Sequence, residues 1–327
     1  MLKRLVRSRE FGILIILIVM LIALEARFRV LNGQTFFSLY NIERIASDFS
    51  FIAIAAVGAA IVIISGGIDL SSGSLMGLGA SAVAYAYVTL GLSPVASVQL
   101  AAIGGLLFGA INGILHAKAG LPPFIATLGM LWIARGIAFT LAPLALTIPW
   151  TSEDAPPALF RAIGDNTVFC LLFMTVIAAF AMAFTRWGRY VYAIGGNEEA
   201  ARFSGVSVDR MKIGVYALAG LMSGVAGAAL ALSVGSANSG TAKGYELQII
   251  AAAVVGGTSL AGGHGTVFGA VLGALVLQLV TEILTLYDVK DQYIQVVYGL
   301  AIVVAVGIDQ LARHGWVRRR LARSPAQ

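Results

Sequence analysis

Repeated apolar runs of about 20 residues are the feature that most limits how this chain can fold. The mean hydropathy is +0.89, and a soluble domain has too little polar surface to cover so many apolar side chains. A helical run of this length spans a bilayer and satisfies its own backbone hydrogen bonds, so the sequence predicts an all-α, polytopic membrane helix bundle of about 10 transmembrane helices. The predicted spans are residues 12–30, 49–65, 70–90, 95–115, 123–143, 166–185, 213–234, 247–261, 265–285 and 293–309.

Basic residues divide the predicted connections between these spans into two groups. Most of the 22 Lys and Arg residues lie in residues 1–11, at Lys118, in residues 186–212 and in residues 310–327. If the spans alternate in direction, these segments share one side of the membrane, and the basic side is the cytoplasmic side. The pattern predicts a single transmembrane domain over residues 1–327 with both termini in the cytoplasm, a cytoplasmic loop at 186–212 and a basic tail at 310–327.

The net charge of +6 does not indicate nucleic-acid binding. The arginine run at residues 318–320 lies in the basic tail, where it is interpreted as a topological anchor near anionic membrane lipid. On the opposite side of the membrane, residues 144–165 contain three prolines together with polar residues. This composition predicts an external loop.

Two glycine pairs interrupt apolar runs in the two halves of the chain. Residues 65–73 and 255–263 share the glycine pair, a leucine three residues after it and a final glycine. Glycine-interrupted segments in the two halves of a transporter often mark broken helices that line its path. The sequence therefore predicts broken helices near Gly66-Gly67 and Gly256-Gly257, although the predicted span directions do not make the two segments an inverted repeat.

The polar residues near these breaks have two interpretations. Asp69 and Ser71 are suited to capping the helix that follows, but ionisable residues inside a membrane are also typical of transport paths. Around the second break, with Glu246 at the span entrance, the small residues favour either close helix packing or a pore-lining turn. The candidate path residues are Gly66, Gly67, Asp69, Ser71, Phe124, Glu246, Gly256, Gly257, Thr258 and Ser259.

One arginine falls inside a predicted span. Arg135 follows a proline-initiated helix start near Phe124. An intramembrane arginine is almost always paired, and Glu282 and Asp69 are its candidate partners. A structural ion pair is favoured over a contact with a transported solute.

A charged, helix-forming island separates two long apolar runs on the predicted cytoplasmic side. Residues 197–204 (NEEAARFS) begin with a capping asparagine and carry two acids in the first turn, as the helix dipole prefers. Gly205 is suited to end this helix. The island is either an ordinary interfacial helix or a docking helix for a soluble motor protein.

Several functional motifs are absent from the sequence. There is no phosphate-binding G-x-x-x-x-G-K-[ST] loop, no H-E-x-x-H, no G-x-S-x-G and no dinucleotide fingerprint. The three histidines and one cysteine are too scattered to suggest a zinc site. We therefore expect no catalytic residues, no metal site and no cofactor on this chain.

The chain resembles the membrane-spanning permeases of bacterial ABC importers for pentoses and hexoses. Five segments carry the resemblance in the order found in that family. They are residues 65–71 (SGGIDLS), 124–130 (FIATLGM) followed by Arg135-Gly136, 188–205 (GRYVYAIGGNEEAARFSG), 245–247 (YEL) and 256–263 (GGTSLAGG). Gln248 departs from the family, which usually has an acid after the Glu-Leu pair.

The resemblance implies an ATP-driven importer with several subunits. This chain would be a permease without an ATPase site, paired with a second permease, either identical or related, in the bacterial inner membrane. ABC ATPase subunits would bind ATP and Mg²⁺, and a periplasmic sugar-binding protein would deliver the monosaccharide. The implied coupling residues, which contact the ATPase, are Asn197, Glu198, Glu199, Ala200, Arg202, Phe203, Ser204 and Gly205.

Two other functions compete with this interpretation. A stand-alone secondary transporter or channel for a small polar solute is expected to carry more intramembrane carboxylates or a filter-like loop. A membrane-embedded enzyme is expected to carry a recognisable nucleophile, base or metal set. Neither pattern is present in the sequence.

Overall fold

The computed structural model describes residues 9–148, 158–290, 293–304, 306–307 and 310, which form helices and one two-stranded sheet. Following the chain, the elements are α1 (Arg9–Asn32), α2 (Leu39–Ile64), α3 (Ser72–Ala84) continuing into a π-helical turn (Tyr85–Thr89), α4 (Pro94–Ala117), α5 (Pro123–Leu141), β1 (Leu146–Thr147), α6 (Ala158–Gly164), α7 (Thr167–Phe184), α8 (Arg186–Gly196), α9 (Glu198–Phe203), α10 (Val208–Val234), β2 (Ser236–Ala237), α11 (Tyr245–Val255), α12 (Val267–Leu286) and α13 (Tyr293–Val304).

Six helices of the described part of the chain combine the length and apolar composition that crossing a bilayer requires, namely α2, α4, α5, α7, α10 and α12. Helices α11 and α13 are also apolar but shorter. The predicted all-α membrane bundle is confirmed, whereas the count of about ten spans stays a prediction. Of the predicted tail at 310–327, all but Gln310 lies outside the described residues.

Side-chain oxygens fix the first turns of several helices. In each case the oxygen accepts a hydrogen bond from the backbone N–H three residues further on, as seen at Ser38, Ser93, Thr185 and Thr266. These bonds satisfy N–H groups that the first turn of a helix leaves unpaired. Loops and helices therefore meet at positions that are encoded locally.

Helix α10 forms the centre of the bundle and packs against α2, α3 and α4. Glycines bring the backbones of α10 and α4 into contact. A methyl group added at Gly220 of α10 would lie 2.8 Å from Gly109 Cα of α4. One added at Gly224 would lie 3.3 Å from Gly105 Cα. Small residues allow membrane helices to approach this closely. The second half of α2, residues 50–64, is also buried, so α2 and α10 are interior helices.

The outer surface of the bundle is apolar. Helix α7 has one buried face, which includes Thr175. Its other face carries exposed aromatic side chains at Phe169, Phe173, Phe180 and Phe184. In a membrane protein an aromatic face of this kind suits contact with lipid tails rather than water.

Both predicted helix breaks are present. Helix α2 ends at Ile64 and α3 begins at Ser72, while α11 ends at Val255 and α12 begins at Val267. Each break contains a glycine in the left-handed region, Gly66 at φ +87° and Gly257 at φ +91°, where other residues are strained. The glycine pairs therefore mark real interruptions of the helices.

The prediction of a plain loop over residues 144–165 is wrong in the part that the structure describes. β1 pairs antiparallel with β2, and α6 buries Phe160 against Tyr87 with ring centroids 4.8 Å apart. The prolines precede α6 instead of interrupting it, which is compatible with a helix start. The two paired strands lie about 90 positions apart in the sequence, so the local composition around β1 does not reveal the pairing.

Replacing Phe160 with alanine should lower the free energy of unfolding by about 3 kcal/mol, because it empties a fully buried site. Phe169→Ala, at a position that is 68% exposed on α7, should change stability by less than about 1 kcal/mol. Thermal unfolding of both variants in detergent, followed by circular dichroism, measures the difference. Equal effects would contradict the packing of α6.

Candidate functional site

The charged island folds as the sequence predicted. Helix α9 begins after Asn197, whose Oδ1 accepts a hydrogen bond from Ala200 N at 2.9 Å. It ends at Phe203, and Gly205 follows at φ +84° in the left-handed region. An asparagine cap and a left-handed glycine are the usual boundaries of a short helix.

The helix before it, α8, is strongly two-faced. Gly188, Val191 and Ile194 are buried against the bundle, whereas Arg189 and Tyr190 are exposed. Buried positions three residues apart follow one face of a helix. Helix α8 therefore lies along one end of the bundle, and α9 follows it at that end.

Ion pairs attach α9 to the start of α10. Glu198 Oε2 accepts a hydrogen bond from Lys212 Nζ at 2.7 Å, and Arg202 Nη2 lies 3.4 Å from Glu198 Oε1 and 3.1 Å from Asp209 Oδ1. Partial burial raises the pKa of Glu198, but the hydrogen bond and charge of Lys212, followed by those of Arg202, outweigh it and hold this pKa below its ordinary value. Because the pKa is lowered in the folded protein, the pairing stabilises α9 above the ordinary glutamate pKa and is lost as the pH falls through the lowered value.

Most of α9 remains accessible. Ala201 is its buried residue, and Phe203 projects with 84% of its surface exposed. Glu199 is exposed and has no ion pair among the described residues. The helix therefore presents an aromatic ring and an unpaired carboxylate at its exposed surface.

The end of α8 touches both helix breaks through its backbone. A methyl group added at Gly195 would overlap the carbonyl oxygen of Ile64 and lie 2.6 Å from Gly263 N. Gly263 N itself donates a hydrogen bond to Ile64 O at 2.8 Å, and Tyr192 OH donates to Gly265 O at 2.9 Å. We call this meeting point of α2, α8 and the second break the glycine junction.

The first break is held by its own side chains and by side chains from α4 and α5. Asp69 Oδ1 accepts hydrogen bonds from Ser71 N at 2.8 Å and Ser71 OH at 2.6 Å. Asn112 Nδ2 donates to Ser71 Oγ at 2.9 Å, and Thr127 Oγ1 accepts from Leu70 N at 3.1 Å. Asp69 thus satisfies backbone at the helix start, and its side chain is buried.

The candidate path residues are divided between several places. Gly66, Gly67, Asp69 and Ser71 form the first break, while Gly256, Gly257, Thr258 and Ser259 form the second. Glu246 packs on α3 at Gly73, and Phe124 is half-exposed at the start of α5. None of these ten residues lines either of the two cavities described below, and their role in a path stays a prediction.

The predicted partners of Arg135 are wrong. Its guanidinium donates to the carbonyl oxygens of Thr241 at 2.9 Å, Ser239 at 3.3 Å and Ala242 at 3.3 Å. Glu282 is instead bound in a two-point ion pair by Arg44, at 3.0 and 2.7 Å. An arginine inside a membrane protein can satisfy its donors with backbone carbonyls as well as with an acid.

A cavity of about 460 Å³ opens between α2, α11, α12 and α13. Its polar wall includes Gln248 and Tyr298, joined by a 2.9 Å hydrogen bond from Gln248 Nε2, and Thr281, whose Oγ1 lies 2.5 Å from Tyr298 OH. The sequence interpretation missed Thr281 and Tyr298. A usable signal was the spacing of three between Gln278 and Thr281 and between Gln295 and Tyr298, which places polar pairs on one face of apolar helices.

A second cavity of about 300 Å³ shares Lys243 and Tyr245 with the first. Within the described ranges, no group of three or more His, Cys, Asp or Glu side chains is placed to hold a metal ion. The chemistry available at these sites is hydrogen bonding, aromatic contact and the charges of Asp48 and Lys243.

Comparison with known proteins gives consistent matches along the chain. A family model described as "Branched-chain amino acid transport system / permease component" matches residues 41–306. The "Ribose import permease protein RbsC" of Escherichia coli (strain K12) is 38% identical over 282 residues, covering 85% of this chain and 88% of that protein.

Two further relatives carry the names of other sugars. The "Fructose import permease protein FrcC" of Rhizobium meliloti is 34% identical over 94% of this chain and 85% of its own length. The "Galactose/methyl galactoside import permease protein MglC" of Salmonella typhimurium is 35% identical over 93% of this chain and 94% of its own length. No solved structure matches the chain.

The glycine junction leads to a prediction that compares two adjacent positions. Gly195→Ala should lower the free energy of unfolding by about 2 kcal/mol, because the new methyl group displaces Ile64 or Gly263 backbone. Gly196→Ala, which meets nothing within 4 Å, should be neutral to within about 0.5 kcal/mol.

Unfolding in detergent together with hydrogen exchange of residues 256–266 measures both variants. We expect faster exchange in that segment for Gly195→Ala than for Gly196→Ala. Matching exchange rates and stabilities would show that α8 does not hold the second break.

Proposed function

Because the chain belongs to the family of branched-chain amino acid transport system permease components, we propose that it is the membrane-spanning permease of an ATP-driven importer that moves a monosaccharide into the cytoplasm. The names of the relatives support a sugar, since they are import permeases for ribose, fructose and galactose. The observation that carries the proposal is the exposed helix α9, which is joined through α8 to both helix breaks.

The proposed assembly places ATP hydrolysis on another subunit. One or two ATPase subunits bind ATP and Mg²⁺ and contact α9, while this chain binds neither. A second permease, identical or related, completes the core, and a periplasmic sugar-binding protein delivers the sugar at the end opposite α9. The distribution of Lys and Arg supports an inner-membrane orientation with both termini and α9 in the cytoplasm.

The candidate coupling residues in and beside α9 have different roles. Asn197 and Gly205 set the helix ends, and Glu198 and Arg202 hold the helix on α10. Phe203 and Glu199 remain for the ATPase, with Ala200 and Ser204 exposed beside them. An exposed aromatic ring surrounded by polar residues is the usual form of an interface anchor.

Movement of α9 reaches the membrane interior through backbone contacts. When the ATPases close on ATP, α9 and α8 shift together, and Gly195 transmits the shift to Ile64 and Gly263. The ATP-bound partner favours one of two permease conformations by binding it more tightly, which is how the energy enters. The candidate path residues at the two breaks lie where this movement arrives.

Phe203→Ala should weaken binding of the ATPase subunit by about 2 kcal/mol, or roughly 30-fold, if the ring is the interface anchor. Phe184→Ala, at a lipid-facing position that is 74% exposed, is the matched control and should leave binding unchanged. Co-purification from native membranes in mild detergent, with mass spectrometry, measures the retained ATPase. Full retention with Phe203→Ala would contradict docking at α9.

Charge reversal at two adjacent glutamates distinguishes the binding of α9 to the ATPase from the attachment of α9 to α10. Glu199→Lys should loosen the ATPase and reduce sugar-stimulated ATP hydrolysis while the permease keeps its stability, because Glu199 has no ion pair among the described residues. Glu198→Lys should also destabilise the permease, since it places a cation against Lys212. ATPase assays and unfolding curves on both variants test this difference.

If the tagged chain purifies alone and moves solute without ATP, the proposed function is wrong. If an ATP-binding subunit and a periplasmic binding protein co-purify, the ligand of that binding protein identifies the sugar.

A further inference from the structure

The cavity between α2, α11, α12 and α13 has the size and lining of a small-molecule site. Its volume of about 460 Å³ falls within the range of about 300–1,000 Å³ that is usual for ligand pockets. Amides, hydroxyls and aromatic rings share the wall with a few aliphatic side chains. The neutral polar and aromatic lining residues include Tyr245, Gln248, Gln278, Thr281, Gln295 and Tyr298.

A directed chain of hydrogen bonds fixes one side of this cavity. Gln248 Nε2 donates to Tyr298 OH, and Thr281 Oγ1 donates to Leu277 O at 3.0 Å. Because the hydroxyl proton of Thr281 is donated to Leu277 O, Thr281 Oγ1 accepts a hydrogen bond from Tyr298 OH, with the two oxygens 2.5 Å apart. Among the described residues this is the only hydrogen bond of the Gln248 side chain, so its amide oxygen and second N–H remain for a ligand.

Asp48 and Lys243 are the charged residues that line the cavity, and Glu282 lies close to it. Arg44 binds Glu282 at 2.7 Å and lies 3.4 Å from Asp48, and Gln278 Nε2 donates to Glu282 Oε1 at 3.1 Å. Lys243 is exposed and lines both this cavity and the second one. Beside these two charged residues, the other polar groups of the wall are neutral donors and acceptors next to tyrosine rings, which suit a solute with many hydroxyl groups.

The position of the cavity agrees with a site on the solute's route. It lies at the first turns of α11 and α13 and near the end of α12, away from the end of the bundle where α8 lies and α11 reaches the second break. Amide side chains on apolar helices are costly in contact with lipid and are retained where they face water or a ligand.

We propose that this cavity is a low-affinity monosaccharide site, in which Gln248 hydrogen-bonds a sugar hydroxyl, Tyr298 and Thr281 hold the Gln248 amide in place, and Tyr245 packs against the sugar ring. The proposal rests on the proposed import function and names residues outside the predicted path set. A weak site suits transport, because a tightly held sugar leaves slowly.

Saturation-transfer NMR on the permease–ATPase complex in nanodiscs, without the binding protein, detects weak sugar binding. The probes are D-ribose, D-xylose, L-arabinose, D-galactose and D-fructose, tested one at a time. We expect signal for at least one sugar, with Gln248→Ala and Tyr298→Phe each weakening its binding by about three- to tenfold, as expected for one hydrogen bond.

Gln99→Ala, on the exposed face of α4, and Tyr293→Phe, 56% exposed on α13, should bind like the unmodified chain. Equal ATPase retention and melting temperature across the variants show that a loss of signal is not misfolding. The proposal is overturned if Gln248→Ala and Tyr298→Phe bind as well as the controls.

Liposomes that contain the permease, the ATPase and the binding protein separate the two ideas. If a sugar accumulates with ATP but gives no saturation transfer from the unmodified complex, the cavity proposal fails and the importer function stands. If none of the five sugars accumulates, the importer function itself is contradicted and the cavity proposal falls with it.

Discussion

Backbone groups left unpaired where a membrane helix is interrupted must find partners inside the protein, because lipid supplies none. This chain meets the requirement by bringing its interruptions together. Ile64 O, at the end of α2, accepts a hydrogen bond from Gly263 N of the second break, and Gly265 O accepts one from Tyr192 of α8. The two breaks and the amphipathic helix are thus one structural unit at one end of the bundle.

Attachment of α9 follows from the same arrangement. The ion pairs of Glu198 and Arg202 fasten α9 to the first turns of α10, the most central helix of the bundle. The glycine junction fastens α8 to the two breaks. A partner that pulls on α9 therefore acts on two different parts of the membrane domain, a rigid interior helix and a pair of interrupted ones. Interrupted helices are the easier of the two to displace, because fewer backbone hydrogen bonds hold them.

Features encoded within a few residues were predictable from the sequence. The capping asparagine at 197 and the glycine at 205 define α9, and the glycine pairs at 66–67 and 256–257 mark the breaks. Features that depend on distant contacts were not. Arg135 binds backbone carbonyls about 100 residues away, and its donors would have been equally satisfied by an acid, so residue type alone did not select the partner. The pairing of Gln248 with Tyr298 depends on how α11 packs beside α13, which hydropathy does not report.

Helix α11 connects the two places where function is proposed. It carries Gln248 in its first turns, facing the cavity, and it leads directly into the second break at Gly256. Its 11 residues span roughly 16 Å as a helix. A shift of the second break at the glycine junction therefore moves this short helix as a unit and displaces the cavity wall at its other end. The opposite wall belongs to α13, which is not part of the glycine junction. On the proposed mechanism, a displacement that begins at α9 therefore moves Gln248 relative to Tyr298 and changes the shape of the cavity. Helix α11 is shorter than the six helices that are long enough to cross a membrane, and this short length suits it to the role.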